Sequence, residues 1–494
     1  MVKINSAYLC DGYKVDHRRQ YPNGTTMVYS NFTPRSNHYA NGIDKLVVFG
    51  IQYFIMAYLI DHFDKNFFYR EESKVTNEFT RRINNYLGPN QVSIDHIKAL
   101  HKLRFMPVEI RALPEGVAVP MRVPVLTIHN TIPEFFWVTN FLETIMSCIL
   151  WQPMTSASIA RQYLKEFIRH SDLTGSPKDF IQWQGHDFSF RGMPGLEAAM
   201  LSGAGHLLAF TGTDTIPAID FLEKYYQADS DEELIGGSVA ATEHSVMCMG
   251  GLEDEFGTFK RLITEVYPEG LVSIVSDTWD FWQVMTDFLP RLKDIIINRP
   301  GRVVIRPDSG DPVNIVCGLE SPRTLNTPEY KGAYEILWDI FGGTINEKGY
   351  KVLHPNIGLI YGDSITMERQ REILQKLEDK GFTASNLVLG IGSFTYTYNT
   401  RDTFALAMKA TYGEVNGEPR IIFKDPKTDS GMKKSAVGLL AVLKDDKGEY
   451  YAVNNATPEQ MAQSELKTVF KDGELVKSYS LYKIRKNLKD SLNE

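Results

Sequence analysis

Residues 302–312 read RVVIRPDSGDP. Three β-branched apolar positions, Val303, Val304 and Ile305, run directly into Arg306, a proline and the turn-forming triplet Asp308, Ser309 and Gly310. A continuous apolar run closed by a tight turn is the pattern of a short strand buried on both faces. The pattern recurs in LVSIVSD, ending at Asp277, in NIGLIYGD, ending at Asp363, and in NLVLGIGS, which passes through Gly392. From Asp277 to Asp308, Asp363 and Gly392 the successive spacings are 31, 55 and 29 residues, and a strand–helix–strand unit occupies about 30 or more. Between the last two runs, residues 364–380 predict one helix, with Asp363 or Ser364 as N-cap, Ile373, Leu374 and Leu377 on one face, and Gly381 as its stop. Strands alternating with helices predict an α/β protein with a parallel sheet covered on both faces. Sites in such sheets and barrels lie at the C-terminal ends of the strands. Asp277, Asp308 and Asp363 each read singly as an ordinary cap or turn residue; together, at three consecutive strand ends, they point to a site.

The rest of the chain sets bounds on this reading. Its 494 residues predict two or three structural units, and 43% hydrophobic with 23% charged residues is the balance of a folded globular protein. A net charge of −8 weighs against a general nucleic-acid binder. Cys10, Cys148, Cys248 and Cys317 form no CxxC pair, which fits a reducing compartment and suggests no metal site. The start, MVKINSAYLCDGYKVDH, lacks the apolar core of a signal peptide. The greasiest stretches, 46–60 and 135–151, are broken by Gln52 and by Asn140 and Glu143. Both fall short of the ~20 apolar residues of a membrane span and predict buried helix. A cytoplasmic location without a membrane partner is expected.

Several segments carry groups suited to a flat, phosphorylated ligand. HDFSFRG, residues 186–192, sets Phe188 three residues before Arg191, a stacking face beside a guanidinium that can grip phosphate. LLAFTGTDT, 207–215, ends near Asp214, which could accept from an amide or simply cap the helix starting near Pro217. In SVAATEHS, 238–245, His244 follows Glu243, and Asp277 lies at the end of the next strand. A carboxylate that accepts from one imidazole nitrogen fixes the tautomer and makes the other nucleophilic. In 305–312, Arg306 and Asp308 frame a turn suited to a phosphate and to ribose hydroxyls or Mg²⁺. YGDS, 361–364, repeats the idea with Gly362 and Asp363, and GIGSFTYTYNTRD, 390–402, opens on a Gly-x-Gly turn whose amides could cradle a phosphate.

Taken in order, DGYKVDHRRQYP, PEGVAVP, HDFSFRG, GTDT, EHS, VSD, IRPDSGDP, YGD, TRD and FKDP resemble the nicotinamide phosphoribosyltransferase family, and the likeness runs from about Asp11 to KSYSLYKIRKN near the C-terminus. The resemblance implies a type II phosphoribosyltransferase fold: an irregular α/β barrel over 151–400, with a second α+β domain built from both chain ends, 1–150 and 401–494. It implies a homodimer with its sites at the subunit interface. The implied reaction joins nicotinamide to phosphoribosyl pyrophosphate, giving nicotinamide mononucleotide and pyrophosphate, with Mg²⁺ required and ATP as co-substrate. No protein metal ligands are implied; Mg²⁺ is expected to be held through pyrophosphate.

Carried over by position, Phe188 and the Tyr13 of a second copy sandwich the pyridine ring, Asp214 accepts from the carboxamide, and Arg306 lies at the ring's edge. Arg191 lies near the phosphate. Asp308, Gly362 and Asp363 hold the ribose, and Gly392, Ser393 and Arg401 meet the 5′-phosphate. Arg35, Lys409 and Lys424 match basic positions around the phosphates. His244 matches a histidine phosphorylated from ATP, with Asp277 and Glu243 beside it.

The sequence departs from the animal members in reading GIGSF over 390–394, where they carry a run of glycines, and in having Ala407 where they have a serine near the 5′-phosphate. Phe394 lacks glycine's freedom at positive φ, so the departures concern the grip on phosphate. The neighbouring alternative is nicotinate phosphoribosyltransferase. Asp214 separates the two, because a carboxylate repels a carboxylate and attracts an amide. A non-catalytic nucleotide-binding protein would not need His244.

Overall fold

The four sequence runs form four adjacent parallel strands. The structure, a computed structural model, describes residues 4–40, 42–88, 93–423 and 436–492. The chain divides into two units: Met1–Ser158 with Phe221–Ala228 and Asn399–Glu494, and Ile159–Asp220 with Asp229–Tyr398. In the second unit seven strands make one sheet. They are β1 (Gly185–Phe188), β2 (Gly212–Thr213), β3 (Ala240–Ala241), β4 (Val272–Val275), β5 (Val303–Arg306), β6 (Ile357–Tyr361) and β7 (Leu387–Gly392). Their order is β2-β1-β7-β6-β5-β4-β3 and every neighbouring pair is parallel. A further parallel bridge joins Gly212 of β2 to Gly237, just before β3. The sheet is thus a parallel half-barrel whose two outer strands are tied together by that bridge.

The sheet's centre is apolar because its strands are covered on both faces. Val272, Ile274, Val275, Val303 and Ile305 are all at most 1% exposed, and each contributes about 1.5–3 kcal/mol by burial. The helix expected over 364–380 spans Met367–Asp379, with Ile373, Leu374 and Leu377 buried. Its cap is Thr366, which accepts from Arg369 N, and not Asp363 or Ser364. Ser364 sits at φ 57°, in the left-handed region, so the helix cannot begin there. The shift leaves Asp363 free of capping; it accepts from Ser364 Oγ at 2.8 Å.

The other unit is built on a seven-stranded sheet assembled from both ends of the chain. Thr25–Thr33 pairs antiparallel with Ala407–Val415 on one side and with Leu126–Asn130 on the other. Residues 46–60, expected as helix, begin in the strand Lys45–Val47 and become helical only from Ile51. Gln52, the polar break in that run, is buried and serves as a hub. Its Nε2 donates to the carbonyls of Tyr225 and Tyr479, and its Oε1 accepts from Tyr479 N at 2.6 Å. Residues 135–151 fall mostly in the helices Val138–Phe141 and Glu143–Thr174. Among the described residues no helix is long and apolar enough to cross a membrane.

Candidate active site

The C-terminal ends of the parallel strands converge on a cavity of about 680 Å³. It is lined by Phe188 from β1, Asp214 just after β2, Arg306 and Asp308 at and beyond β5, Gly362 and Asp363 after β6, and Gly392 and Ser393 at the end of β7. Phe190 and Arg191, from the turn after β1, complete the lining. Nine of the residues singled out in the sequence therefore share one cavity. An adjoining cavity of about 540 Å³ shares Phe188, Asp214 and Arg306 and is walled by Phe180, Trp183, His186 and Ser238, among others.

The turn after β5 is anchored from β4. Asp277 Oδ2 accepts from Asp308 N at 2.9 Å, from Ser309 N at 2.7 Å and from Ser309 Oγ. Gly310 makes the turn with φ 91°. Asp308 is thereby held with its carboxylate facing the cavity, 3.8 Å from Arg306 Nε. Burial raises the Asp308 carboxyl above its ordinary range; Arg306 and His244 pull it down, while Asp277 and Asp363 push it up. Gly362 is required here for space: a Cβ on it would lie 2.2 Å from Asp308 Oδ1. Arg306 Nη2 donates to Thr242 O, so the guanidinium is fixed beside the carboxylate.

His244 opens the helix His244–Gly250, with Glu243 at its N-cap. Its Nε2 lies 3.8 Å from both Asp277 Oδ1 and Asp308 Oδ2, and its Nδ1 lies 3.4 Å from Thr278 Oγ1. The carboxylate distances are those of ion pairs, not hydrogen bonds. The sequence expectation of an Asp277–His244 hydrogen bond is corrected accordingly, because the same carboxylate's other oxygen is committed to the 308–309 turn. Asp277 Oδ1 is buried without a hydrogen-bond partner. The imidazole itself is half exposed. Glu243 accepts from Ser245 Oγ.

Asp214 does not cap the following helix. Its Oδ1 is taken by His186 Nε2 at 2.9 Å and by Ser238 Oγ at 2.8 Å. Burial alone would raise its carboxyl, but His186, Ser238 and Arg306 outweigh it and hold it below the usual range. Neither His186 nor Ser238 was singled out from the sequence. His186 had a legible signal, since residues two apart on a strand share a face. Its ring packs 4.5 Å from that of Phe188.

The glycines of the 390–394 segment, expected in a turn, end a strand, and Gly392 and Ser393 line the cavity. Gly390 to Gly392 lie within β7, and Ser393–Thr397 forms a short helix. A Cβ on Gly390 would meet the Phe188 ring at 2.7 Å, so this glycine makes room for the aromatic. Phe394 follows in the right-handed helical turn, its ring 4.4 Å from that of Tyr398 and tilted to it, so the segment needs no positive φ there.

The remaining candidates lie in the other unit. Arg35 Nε donates to Ala405 O at 3.0 Å, and Lys409 Nζ lies 3.8 Å from Glu143 Oε1. Burial first, and then neighbouring cations, lower the affinity of Arg35 and Lys409 for their protons; Arg401 acts on both, and Arg35 acts on Lys409. Arg35, Arg401 and Lys409 thus form one basic cluster, with Lys14, which pairs with Glu143 at 2.7 Å and carried no sequence signal of its own. Tyr13 is 62% exposed. Lys424 lies outside the described residues.

An aromatic ring, carboxylates and arginines gathered at parallel strand ends are the groups that a phosphoribosyltransferase needs. The model of the nicotinate phosphoribosyltransferase family matches residues 183–474, and that of the nicotinamide phosphoribosyltransferase N-terminal domain matches residues 5–100. The chain is 52% identical to the nicotinamide phosphoribosyltransferase of Acinetobacter baylyi over 99% of its own length and 98% of the relative's. It is 35% identical to that of Mycoplasma pneumoniae, covering 85% of this chain and 92% of the other. In fold it is similar to the crystal structures of Pyrococcus furiosus nicotinate-nucleotide pyrophosphorylase (TM-score 0.57, 16% identity, 100% and 97% of the two chains) and human nicotinic acid phosphoribosyltransferase (TM-score 0.55, 15% identity, 98% and 93%). The chain belongs to the nicotinamide phosphoribosyltransferase family.

Proposed function

We propose that the protein transfers the phosphoribosyl group of phosphoribosyl pyrophosphate to the ring nitrogen of nicotinamide, as a step of NAD salvage. The nitrogen lone pair forms the new bond at C1′ while the bond from C1′ to pyrophosphate breaks, and pyrophosphate leaves with that electron pair. The observation that carries this reading is the single cavity uniting Phe188 and Asp214 with Arg306, Asp308, Asp363 and Ser393. Phe188 offers a face for the pyridine ring. Asp214 accepts from the carboxamide, Asp308 and Asp363 accept from ribose hydroxyls, and Arg306 with Arg191 faces the phosphates. The type II phosphoribosyltransferase fold, an irregular barrel with a second α+β domain, accompanies this reading.

Mg²⁺ and ATP belong to the proposal as well. Among the described residues no three His, Cys, Asp or Glu side chains are grouped to hold a metal by themselves. The unpartnered Oδ1 of Asp277 and the nearby Asp308 fit an ion that draws its other ligands from pyrophosphate. Such an ion would offset charge on the leaving group. The half-exposed imidazole of His244, set between Asp277 and Asp308, suits phosphorylation by ATP. A homodimer would bring the exposed Tyr13 and the cluster of Arg35, Arg401 and Lys409 of one copy to the cavity of the other.

Asp214 decides between bases. A nicotinate carboxylate at ~4 Å from Asp214 would be opposed by about 4 kcal/mol at a half-buried site, whereas an amide donor to a carboxylate gains about 1.5–3 kcal/mol. Asp214→Asn is expected to lower kcat/KM for nicotinamide by roughly 10–100-fold and to improve the relative use of nicotinate. Equal losses with both bases, in steady-state assays with each, would remove Asp214 from amide recognition.

A further inference from the structure

We infer that His186 and Ser238 are positioning residues for base recognition: together they hold one oxygen of Asp214, so that the other is presented to the carboxamide. The inference rests on the functional reading above and assigns the machinery behind its specificity.

Both contacts fall on the same atom. His186 Nε2 lies 2.9 Å and Ser238 Oγ 2.8 Å from Asp214 Oδ1. Among the described residues Oδ2 makes no hydrogen bond, and Asp214 belongs to the wall of the strand-end cavity. A carboxylate accepts only, so Nε2 of His186 carries the proton and donates it. Two donors on one oxygen fix the rotation of the carboxylate, which would otherwise turn freely about its last bond. They also favour the ionised form, the form that accepts an amide N–H instead of donating to a substrate carboxylate.

The fold goes to some length to place this imidazole. His186 stands opposite Gly212 in the β1–β2 register, and a Cβ on Gly212 would lie 2.8 Å from His186 Nδ1. His186 is 8% exposed, and its ring leans on that of Phe188 at 4.5 Å. One strand face therefore carries both the stacking ring and the group that aims the hydrogen-bond acceptor. Ser238 reaches Asp214 from just beyond Gly237, which is itself bridged to Gly212. The same small-residue bridge that ties the outer strands also brings the second donor to Asp214.

The test uses the full-length enzyme and the variants His186→Ala, His186→Gln and Ser238→Ala, assayed with nicotinamide and with nicotinate at saturating phosphoribosyl pyrophosphate, with melting temperatures measured alongside. His186→Ala is expected to raise the nicotinamide KM by roughly 10–100-fold, with kcat and the KM for phosphoribosyl pyrophosphate changed by less than about threefold, and to narrow the preference over nicotinate. His186→Gln, which keeps an N–H donor, is expected to recover most of the loss, and Ser238→Ala to show a smaller shift of the same kind. An unchanged nicotinamide KM in His186→Ala overturns the inference. So does a parallel fall of kcat, affinity for phosphoribosyl pyrophosphate and melting temperature in both His186 variants, which marks a structural role. Failure of the wild-type enzyme to turn over nicotinamide would instead overturn the functional reading itself.

Discussion

Replacing His244 by alanine is expected to abolish ATP hydrolysis and the stimulation of synthesis by ATP, while slow ATP-independent formation of nicotinamide mononucleotide persists. The imidazole Nε2 stands 3.8 Å from the carboxylates of Asp277 and Asp308 and is half open to solvent, so a phosphoryl donor can reach it. A phosphoryl group there would place negative charge beside the region assigned to pyrophosphate and Mg²⁺. Transfer at C1′ does not itself require it, because the bond to pyrophosphate is already activated and the leaving charge is met by arginines and the ion. Synthesis with and without ATP, ATP hydrolysis and melting temperature, measured on one preparation, separate the roles. Wild-type ATP hydrolysis by the variant would exclude the phosphohistidine. A joint loss of all activities with a lowered melting temperature would make His244 a structural residue.

Asp277→Ala is expected to be more damaging to synthesis than His244→Ala. Asp277 Oδ2 accepts from the amides of Asp308 and Ser309 and from the Ser309 hydroxyl. Its removal takes away hydrogen bonds to a charged acceptor, each worth about 1.5–3 kcal/mol at most, and releases the turn that carries Asp308. At about 1.4 kcal/mol per tenfold, kcat/KM for phosphoribosyl pyrophosphate should fall by roughly 100–1,000-fold. Asp277→Asn keeps an oxygen that can accept from the turn, and its loss should be nearer to tenfold. Similar, small losses in both variants would show that the turn holds its shape without Asp277.

The strand ends were legible because the physics of a doubly covered parallel strand leaves little choice. Val303 to Ile305 must be apolar, and the first polar residues that follow must face the sheet's end. The positions of Arg306, Asp308 and Asp363 at the strand ends therefore follow from the sequence. What was hidden depends on pairings between distant residues. His186 reaches Asp214 across 28 positions, through the two-residue strand β2, too short to carry a periodic pattern. Ser238 depends on the isolated bridge at Gly237. Asp277 was read as the partner of His244, yet its hydrogen bonds go to the Ser309 hydroxyl and to two backbone amides, which no side-chain pattern reveals. Gly390 has a further reason to be small that no local pattern reveals: the Phe188 ring lies over it. Likewise, the pairing of Thr25–Thr33 with Ala407–Val415 joins segments almost four hundred residues apart and has no local signature.

The most direct measurement is the identity of the product formed by the purified wild-type protein from phosphoribosyl pyrophosphate and Mg²⁺, given nicotinamide and nicotinate together in equal amounts. Nicotinamide mononucleotide is expected as the dominant product by mass spectrometry, accompanied by one equivalent of pyrophosphate. Predominant nicotinate mononucleotide, or consumption of neither base, would contradict the assignment of the cavity around Phe188 and Asp214.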